Sequence, residues 1–398
     1  MPNGQLNLGI LGAGIGGLAL AVLLKKAGHN VTVFERFKHV SEFGAGVQLS
    51  PNGVKVLRRL GIEHEILALA SRPERIVMRQ AENDRCIFRI QLGLSAATRY
   101  QAGFLQIHRS DLVRLLYEKA FKIGVTFRFG KEAFLESTNL KSAVISSNGQ
   151  NFSFDAAVAA DGVHSATRET FFQYGAPTFL NQVAYRATVP LDQIQNFWRE
   201  PEVNILVAEG GHVVLYPLES RSLLNIIFCS DQKVWSSDGW SNTVDPQELV
   251  ARFKNFIAIR NILNQIKVAH KWGLLGFENK RNWHLENLAL LGDACHPMLP
   301  YLAQGANQAL EDAAALSHFL SQQKSISISQ AFELYGNKRR RRVLKVQKVS
   351  RRNASLYHLP NGVGRLVIHA SLTLMSKVLP SFLLQQYDWL YDYEFPRE

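Results

Sequence analysis

A glycine-rich turn near the N-terminus, residues 12–17 (GAGIGG), is the feature that most constrains how this chain can fold. An apolar run at 6–11 precedes the turn, a helix-forming segment follows at 15–27, and a β-branched run lies at 31–34. This order predicts a strand, a tight turn, a helix and a second, parallel strand. Such a βαβ unit binds a dinucleotide, whose pyrophosphate lies at the helix N-terminus.

Three of the glycines have separate roles in such a unit. Gly12 permits the tight turn, Gly14 lets the backbone approach the pyrophosphate, and Gly17 lets helix and strand pack closely. Glu35 ends the second predicted strand, where a carboxylate accepts hydrogen bonds from ribose hydroxyls and repels a 2′-phosphate, so NADP is not expected as the tightly held nucleotide. The cofactor contacts expected in this region are Gly12, Ala13, Gly14, Gly17, Glu35 and Arg36.

Two glycine–aspartate pairs farther along the chain indicate which dinucleotide is bound. Residues 159–168 (AADGVHSATR) and 291–297 (LGDACHP) each follow an apolar strand. Together with the glycine turn, their spacing resembles that of the flavoprotein aromatic hydroxylases, which carry one FAD and no separate nicotinamide domain. The resemblance implies that Asp293 binds the ribityl chain of FAD and that Asp161 belongs to a motif linked to both FAD and NAD(P)H.

Further segments are similar to the salicylate hydroxylase branch of these enzymes, which includes 3-hydroxybenzoate 6-hydroxylase and 6-hydroxynicotinate 3-monooxygenase. They are residues 44–53, His108-Arg109, Tyr185-Arg186, Tyr216-Pro217, 300–312 and 387–391, and the similarity runs along essentially the whole chain. By this resemblance, the residues that contact FAD or lie near its flavin ring are Val47, Arg109, Gly305, Ala306 and Asn307. Cys295 departs from the family, which usually has alanine there.

The resemblance implies an FAD-dependent monooxygenase. Such an enzyme reduces FAD with NADH or NADPH, adds O₂ to form a flavin C4a-hydroperoxide, and transfers one oxygen to an activated ring. The expected substrate is a small phenol-like or N-heteroaromatic compound, anionic in character; its identity, the nicotinamide used and an accompanying decarboxylation stay open. The alternatives are another FAD-dependent oxidoreductase on the same scaffold and a non-catalytic flavin-bearing regulator. The W-x-W-x-I-P element of flavin halogenases is not found in the sequence.

Candidate catalytic residues lie on a predicted strand that follows two glycines at 210–211. His212, Val214 and Tyr216 alternate along it, so their side chains share one face. If that face lines the flavin pocket, His212 can accept the proton of a phenol and Tyr216 can orient the substrate. The other interpretation places His212 at a domain edge and Tyr216 in the core. Matching residues of the family contact substrate, so the resemblance favours the functional role.

Further substrate contacts are predicted at Gln48, Tyr185, Arg186 and Pro300. Gln48 either faces the substrate or caps its loop. The Tyr185-Arg186 pair either contacts a carboxylate or a mobile flavin, or forms a surface ion pair. His296 is either a catalytic base or a structural support on the flavin side.

Length and periodicity predict two domains in one α/β fold. At 398 residues the chain is too long for one compact core. Period-two alternation at 179–235 indicates a mainly antiparallel substrate domain inserted into a Rossmann-like FAD-binding domain, and the chain after residue 331 indicates helices. The predicted limits are 1–72, 105–178 and 285–335 for the FAD-binding domain, 73–104 and 179–284 for the substrate domain, and 336–398 for a C-terminal helical region.

The net charge of +12 is concentrated in a basic run at 338–342, followed by Lys345, Lys348, Arg351 and Arg352. We expect a solvated helix face, with steering of phosphates or anionic substrates as the alternative. Nucleic acid binding is not expected, because no base-reading motif accompanies the run.

Other features concern the setting of the protein. Three widely spaced cysteines fit neither a disulfide framework nor a zinc site, and they favour a reducing cytoplasm. No signal peptide is expected ahead of a strand that begins by residue 6. The apolar stretch 362–384 contains Arg365, His369, Lys377 and Pro380, which predicts helices that cover a core rather than a transmembrane segment, with peripheral membrane contact as the alternative. A monomer or a homodimer is expected.

Overall fold

The computed structural model describes residues 4–40, 45–130, 132–235, 242–277, 282–322 and 325–395; Gly44, which opens one of the similar segments, lies outside them. The strands are β1 Asn7–Leu11, β2 Asn30–Glu35, β3 Gly46–Leu49, β4 Arg75–Gln80, β5 Cys86–Gln91, β6 Leu105–His108, β7 Thr126–Phe129, β8 Ala133–Thr138, β9 Ala143–Ser147, β10 Gln150–Phe154, β11 Ala156–Ala159, β12 Thr178–Pro190, β13 Glu202–Ala208, β14 Gly211–Leu218, β15 Leu223–Asp231, β16 Asn242–Val244, β17 Ala269–Gly276, β18 His284–Leu285 and β19 Leu288–Leu290. The helices are α1 Ile15–Lys26, α2 Pro51–Leu60, α3 Glu63–Leu69, α4 Gly93–Tyr100, α5 Arg109–Lys122, α6 Pro246–Arg252, α7 Arg260–Leu263, α8 Gly305–Leu320, α9 Ile328–Tyr357, α10 Val363–Val378, α11 Phe382–Gln385 and α12 Asp388–Tyr391.

A mostly parallel sheet carries the glycine turn. Within the described ranges its strand order is β18-β19-β11-β1-β2-β7, and only the β18–β19 pair is antiparallel. Helix α1 is buried from residue 15 to residue 24, because it packs between the sheet and helices α5 and α8. This explains its apolar sequence on every side. The predicted βαβ unit is confirmed.

The second sheet is largely antiparallel, as the alternation predicts. Its order in the described part of the chain is β16-β17-β12-β15-β14-β13-β4-β5, with β13–β4 as its parallel pair. One face packs on α6 and α7, with Val213 and Leu215 of β14 in that core. The other face carries His212, Val214 and Tyr216 and is turned toward the FAD-binding domain. The predicted α/β architecture is confirmed.

Helix α9 crosses the predicted limit of the C-terminal region. A capping box starts it, in which the Ser327 hydroxyl accepts from the N–H of Gln330 and the Gln330 side chain accepts from the N–H of Ser327. The helix then continues without a break to Tyr357. The limit between residues 335 and 336 therefore falls inside one continuous helix.

The basic run of α9 is only partly solvated. Arg339 is fully buried, with its Nε 2.7 Å from Oδ1 of Asp312 and its Nη1 paired with Glu311. Arg342 donates to Glu311 and to the carbonyl oxygens of residues 389–390. The prediction of a solvated face is wrong for these two arginines, which join α8, α9 and the C-terminal segment.

Helix α10 departs from the prediction of helices that cover a core. Its inner face packs on β5, but several apolar side chains of the other face are exposed. The exposed fractions are 77% for Val363, 64% for Leu366, 58% for Val367, 63% for Leu374 and 65% for Val378. No helix in the described ranges is long and apolar enough to cross a membrane.

Candidate active site

The glycine turn between β1 and α1 has the geometry that a bound pyrophosphate requires. Gly12 has a φ of +104°, and a Cβ atom there would overlap the carbonyl oxygen of Ala160. A Cβ atom on Gly17 would overlap the carbonyl oxygen of Gly12, so helix and strand approach as closely as glycine allows. Gly14 is different, since in the described structure no atom outside its own stretch of chain lies within 4 Å of a Cβ atom built on it. Its backbone faces open space at the N-terminus of α1, where N–H groups lack intrahelical partners.

The carboxylate of Glu35 is held beside this turn. Its Oε2 accepts a hydrogen bond from the N–H of Ala13 (2.9 Å), and its Oε1 accepts one from the N–H of Phe37 (3.1 Å). Arg36 is exposed and stacks its guanidinium over the ring of Phe37. The two backbone hydrogen bonds fix Glu35 at the end of β2, and its remaining lone pairs are available to ribose hydroxyls.

Two aspartates follow the carboxyl ends of neighbouring strands, β11 and β19. Asp161 accepts a hydrogen bond from the hydroxyl of Thr167 (3.2 Å), and burial raises its pKa. The side chain of Asp293 is exposed. Desolvation by the surrounding protein raises its pKa, and the charges of His296 and Arg109 oppose that shift. Burial lowers the pKa of Arg109, and the charge of Asp293 opposes that shift. Asp293 and Arg109 are thus near enough to influence each other electrostatically.

These features fit FAD. The open backbone at Gly14 leaves the room that a pyrophosphate needs and that a side chain would fill. Glu35 supplies an acceptor for the adenosine ribose, and the Asp293–Arg109 pair offers both an acceptor and a donor to the polar chain that joins ADP to the flavin.

The start of α8 lies next to β3. Gly305 and Ala306 open this helix, so their N–H groups have no intrahelical partner and can donate to a ligand. The side chain of Asn307 bonds to the protein itself: it donates to the carbonyl oxygen of Gln48 (3.1 Å) and accepts from the N–H of Ser50 (3.0 Å). The Asn307 side chain therefore holds β3 against α8, and only its backbone N–H can meet the predicted cofactor.

A cavity lies between the second sheet, β3 and the C-terminal helices. Its lining is mainly apolar and aromatic and includes Ile76, Phe88, Ile90, Val203, Ile205, Val214, Tyr301, Tyr357, Leu384 and Tyr387. Of the predicted site residues, Gln48, His212 and Pro300 line it. Val47, beside Gln48, packs against the core of the FAD-binding domain. No lysine or arginine is found among the described lining residues, so the cavity itself offers no cation to an anionic substrate.

The other predicted residues of the second sheet lie outside this lining. Tyr216 packs against Gly46, where a Cβ atom would overlap its hydroxyl group. The Tyr216 hydroxyl and the Nε of Arg186 are buried and have no hydrogen-bond partner in the described structure, which marks a place for a polar ligand. Tyr185 lies on the opposite face and donates to Glu248 (2.8 Å). The structure contradicts its predicted substrate contact, because adjacent strand residues point to opposite faces.

His212 belongs to a hydrogen-bonded chain. Its Nδ1 lies 2.9 Å from Nε2 of His358, and the Nδ1 of His358 lies 2.7 Å from Oδ1 of Asp231. Burial, followed by the charge of His358, lowers the pKa of His212 well below its ordinary value, so this imidazole is neutral at neutral pH. Sequence reasoning misses His358 and Asp231, because no local motif marks either of them.

Cys295 and His296, which follow Asp293 in the chain, are buried. The Nε2 of His296 is hydrogen-bonded to Asp312, and its ring lies 5.1 Å from that of Trp283. This arrangement favours the interpretation of His296 as structural support. Burial raises the pKa of the Cys295 thiol well above its ordinary value, which makes it a poor nucleophile.

The sequence from residue 5 to residue 350 matches the family model described as FAD binding domain. The chain belongs to this FAD-binding family. It is 30% identical over 404 residues to 3-amino-4-hydroxybenzoate 2-monooxygenase PtnB3 of Streptomyces platensis, a match that covers 97% of this chain and 96% of that relative. It is also 30% identical over 368 residues to the 6-hydroxynicotinate 3-monooxygenase of Bordetella bronchiseptica, covering 89% of this chain and 92% of the relative.

A solved salicylate hydroxylase in complex with substrate shares the fold. It superposes with a TM-score of 0.82 and 26% identity, over 98% of this chain and 96% of that one. The resemblance to the salicylate hydroxylase branch is confirmed by these matches. This family member is an FAD-dependent monooxygenase of the aromatic hydroxylase class.

Proposed function

We propose that this enzyme hydroxylates a small phenol-like or N-heteroaromatic compound, with NADH or NADPH as the reductant and O₂ as the oxygen source. The observation that carries the proposal is the position of His212, which lines the cavity while its Nδ1 is bound to His358. The hydrogen bond of His212 to His358 engages its Nδ1, so its Nε2 is available to a substrate hydroxyl. The two relatives are named for a hydroxybenzoate and a hydroxynicotinate, which supports this substrate class.

FAD, when bound, takes a hydride from the nicotinamide and delivers one oxygen atom of O₂ in electrophilic form. The protein binds and orients it. The residues assigned to FAD in this proposal are Gly12, Ala13, Gly14, Gly17, Glu35, Arg36, Val47, Arg109, Asp161, Asp293, Gly305, Ala306 and Asn307. Arg186 and Tyr216 are added as candidates, because their buried polar atoms face the FAD-binding domain without partners.

His212 prepares the substrate by accepting its phenolic proton. A phenolate attacks an electrophilic oxygen far better than a phenol does, so a base at the hydroxyl raises the rate of transfer. The neutral state of His212 suits this task, since a protonated imidazole cannot accept a proton. Gln48 and Pro300 position the ring, and the aromatic lining excludes water from the reaction.

The lining of the cavity bears on the charge of the substrate. Because the described lining holds no lysine or arginine, a substrate carboxylate has to reach Arg186 or point to solvent. The Arg186 guanidinium lies over the ring of Trp272, 4.7 Å from its centroid. The group recognised inside the cavity is therefore proposed to be the hydroxyl and not a carboxylate.

The setting of the enzyme is also part of the proposal. The three cysteines are free thiols, which suits the reducing cytoplasm. Its state as a monomer or a homodimer stays a prediction.

Stopped-flow absorbance tests the proposal on a panel of hydroxybenzoates, hydroxynicotinates and related phenols, with each nicotinamide. One class of compound is expected to accelerate reduction of bound FAD and to gain one oxygen atom from isotopically labelled O₂ in mass spectrometry. If no compound accelerates reduction, the hydroxylase proposal fails.

The role of His212 is tested by His212→Gln. Hydroxylation is expected to slow by about 100-fold, with FAD content and flavin reduction unchanged. His270→Gln, at an exposed histidine of β17, is the matched control. An unchanged hydroxylation rate across pH in the His212 variant would exclude its role as base.

A further inference from the structure

The solvent-facing side of helix α10 is unusually apolar for a surface helix, and two of its polar residues are buried. Two polar side chains of this helix face the protein: Arg365 donates to both oxygens of Glu82 (2.8 and 2.9 Å), and His369 is hydrogen-bonded to Gln80 (3.1 Å). Together with the exposed Ala370, its exposed apolar residues recur every three or four positions, so they form one stripe along the helix. The stripe continues beyond the helix end with exposed Leu379 and Phe382. Such a continuous apolar surface marks an interaction site.

The charge around α10 indicates which partner covers the stripe. Residues 334–387 contain eleven lysines and arginines and no aspartate or glutamate. Lys348, Arg351, Arg352 and Lys377 are among the exposed ones. A second copy of the chain would bring the same cations against these, whereas an anionic lipid surface is complementary to them. The 16-residue helix is too short to span a bilayer, but it is suited to lying in the interfacial plane.

We propose that α10 and the residues up to Phe382 dock this enzyme on anionic membrane surfaces, with the apolar stripe among the acyl chains and the basic residues at the headgroups. The cytoplasmic leaflet carries such lipids. Leu384 and Tyr387, which follow directly, line the substrate cavity. The docked surface is therefore continuous in sequence with one wall of the active site.

Co-sedimentation of the FAD-loaded enzyme with vesicles tests this docking. Binding is expected to vesicles of phosphatidylcholine mixed with phosphatidylglycerol, and to be at least about tenfold weaker to phosphatidylcholine alone. The triple variant Leu366→Ser, Val367→Ser, Leu374→Ser is expected to lose binding. Its matched control is Leu94→Ser, Leu140→Ser, Val234→Ser, three apolar residues elsewhere that are even more exposed.

Two results would overturn the docking proposal. One is equal sedimentation of the α10 triple variant and its control, when circular dichroism and FAD content show both to be folded. The other is a dimer in analytical ultracentrifugation that the α10 variant alone disrupts, with no vesicle binding by the unmodified enzyme. That second result would assign the stripe to a second copy.

A second inference concerns the chain His212–His358–Asp231 and rests on the proposed role of His212. The chain leads from the cavity to the surface: both imidazoles are buried, and the Asp231 side chain is 52% exposed. Gln182 also donates to the Asp231 carboxylate (2.9 Å), and Arg252 donates to its backbone carbonyl (2.6 Å). Burial alone would raise the pKa of Asp231, but the hydrogen bonds from His358 and Gln182 and the charges of His358 and Arg252 lower it. The surface end of the chain is thus a carboxylate at neutral pH.

An ionised carboxylate only accepts hydrogen bonds, and this sets the protons along the chain. The Nδ1 of His358 then carries hydrogen, its Nε2 accepts from the Nδ1–H of His212, and the Nε2 of His212 is left as an acceptor facing the cavity. Three rings pack beside His212: those of Tyr301, Tyr357 and His358. Of these three described neighbours, only the imidazole of His358 is a base that can accept its proton.

We infer that this chain is a proton relay between the substrate and solvent. The phenol O–H bond breaks as an Nε2–H bond forms on His212. The Nδ1–H proton of His212 passes to Nε2 of His358, the Nδ1–H proton of His358 passes to Asp231, and Asp231 releases it to water. Return of a proton by the reverse route, when the product hydroxyl is protonated, restores both histidines to their starting tautomers.

The relay is tested without hydroxylation, by following a bound nitrophenol in the FAD-loaded enzyme after a pH jump. The colour of the phenolate reports the proton transfer directly. Asp231→Asn and His358→Gln are expected to slow it by about tenfold or more without changing the Kd of the nitrophenol. Added imidazole is expected to restore the rate in His358→Ala. Asp192→Asn, at an exposed aspartate, is the control.

Equal rates in the Asp231, His358 and control variants would refute the relay. If the variants slow proton transfer but the enzyme hydroxylates no phenol, the relay stands and the proposed function fails. If the enzyme hydroxylates phenols and the variants leave proton transfer unchanged, the proposed function stands and the relay fails.

Discussion

Alanine at Gly14 and alanine at Gly17 should separate cofactor binding from folding. A Cβ atom on Gly17 would overlap the carbonyl oxygen of Gly12, which is backbone and cannot rotate away. A Cβ atom on Gly14 meets no atom within 4 Å from other segments of the described chain, and the φ of this residue, −76°, is one that alanine adopts without strain. The new methyl group at Gly14 instead fills the space assigned to the pyrophosphate.

The expected magnitudes differ accordingly. For Gly14→Ala, the unfolded chain loses entropy while the helix loses a favourable N-cap residue, so the free energy of unfolding of the FAD-free protein should change by less than about 1 kcal/mol. Displacing the pyrophosphate costs about two charge-assisted hydrogen bonds at roughly 1.5 kcal/mol each, which raises the Kd for FAD about 100-fold. For Gly17→Ala, the backbone overlap should lower the free energy of unfolding by about 2 kcal/mol or more.

The assay pairs urea unfolding of the FAD-free variants with fluorescence titration of FAD. The Gly14→Ala protein is expected to be stable and to bind FAD weakly, and the Gly17→Ala protein is expected to be destabilised. If Gly14→Ala binds FAD as the unmodified enzyme does, the placement of the pyrophosphate at this turn is wrong.

The remaining predictions concern the buried charges and thiols. Arg339→Met should lower the free energy of unfolding by about 3 kcal/mol in urea, because it removes the fully buried cation that pairs with both Glu311 and Asp312; a loss below about 1 kcal/mol would contradict this. Burial would raise the pKa values of Glu311 and Asp312, but cations around them hold both below the ordinary 4.5 and 3.8. Their contribution to stability should therefore be complete above those values and disappear as the pH falls below them, and a urea series that shows no such acid loss would oppose the assignment. A thiol reagent should label Cys86 in the native protein and the other two cysteines only after unfolding, as mass spectrometry of digests would show.

Some of the site could be predicted because its contacts are local. The glycine turn, α1 and the carboxylate of Glu35 lie within one βαβ unit, and Glu35 accepts a hydrogen bond from Ala13 of that turn. The alternation on β14 likewise placed His212 and Val214 on one face, and both line the cavity. Because successive side chains of a strand point to opposite faces, the sequence also indicated that Tyr185 and Arg186 cannot both contact the substrate from one face.

Other parts depended on segments that are far apart in the chain. His358, the partner of His212, comes from the turn after α9, and Asp231, the partner of His358, comes from the end of β15. The run of cations in α9 predicts a solvated helix face. Arg339 is nevertheless buried, because Glu311 and Asp312 of α8 pair with it. The apolar sequence of α10 predicts a helix that covers a core, but only one face of α10 packs on the protein, and its other face leaves Leu366, Val367 and Leu374 exposed.

Periodicity and short motifs record contacts between near neighbours in the chain, and they were enough to predict the βαβ unit, the resemblance to an FAD-binding family and the strand face that carries His212. Which arginines are buried, where the proton of His212 can go and which face of α10 meets solvent became clear from the folded protein. Those properties depend on which distant segments pack together, and packing partners have no fixed spacing in the sequence from which they could be predicted.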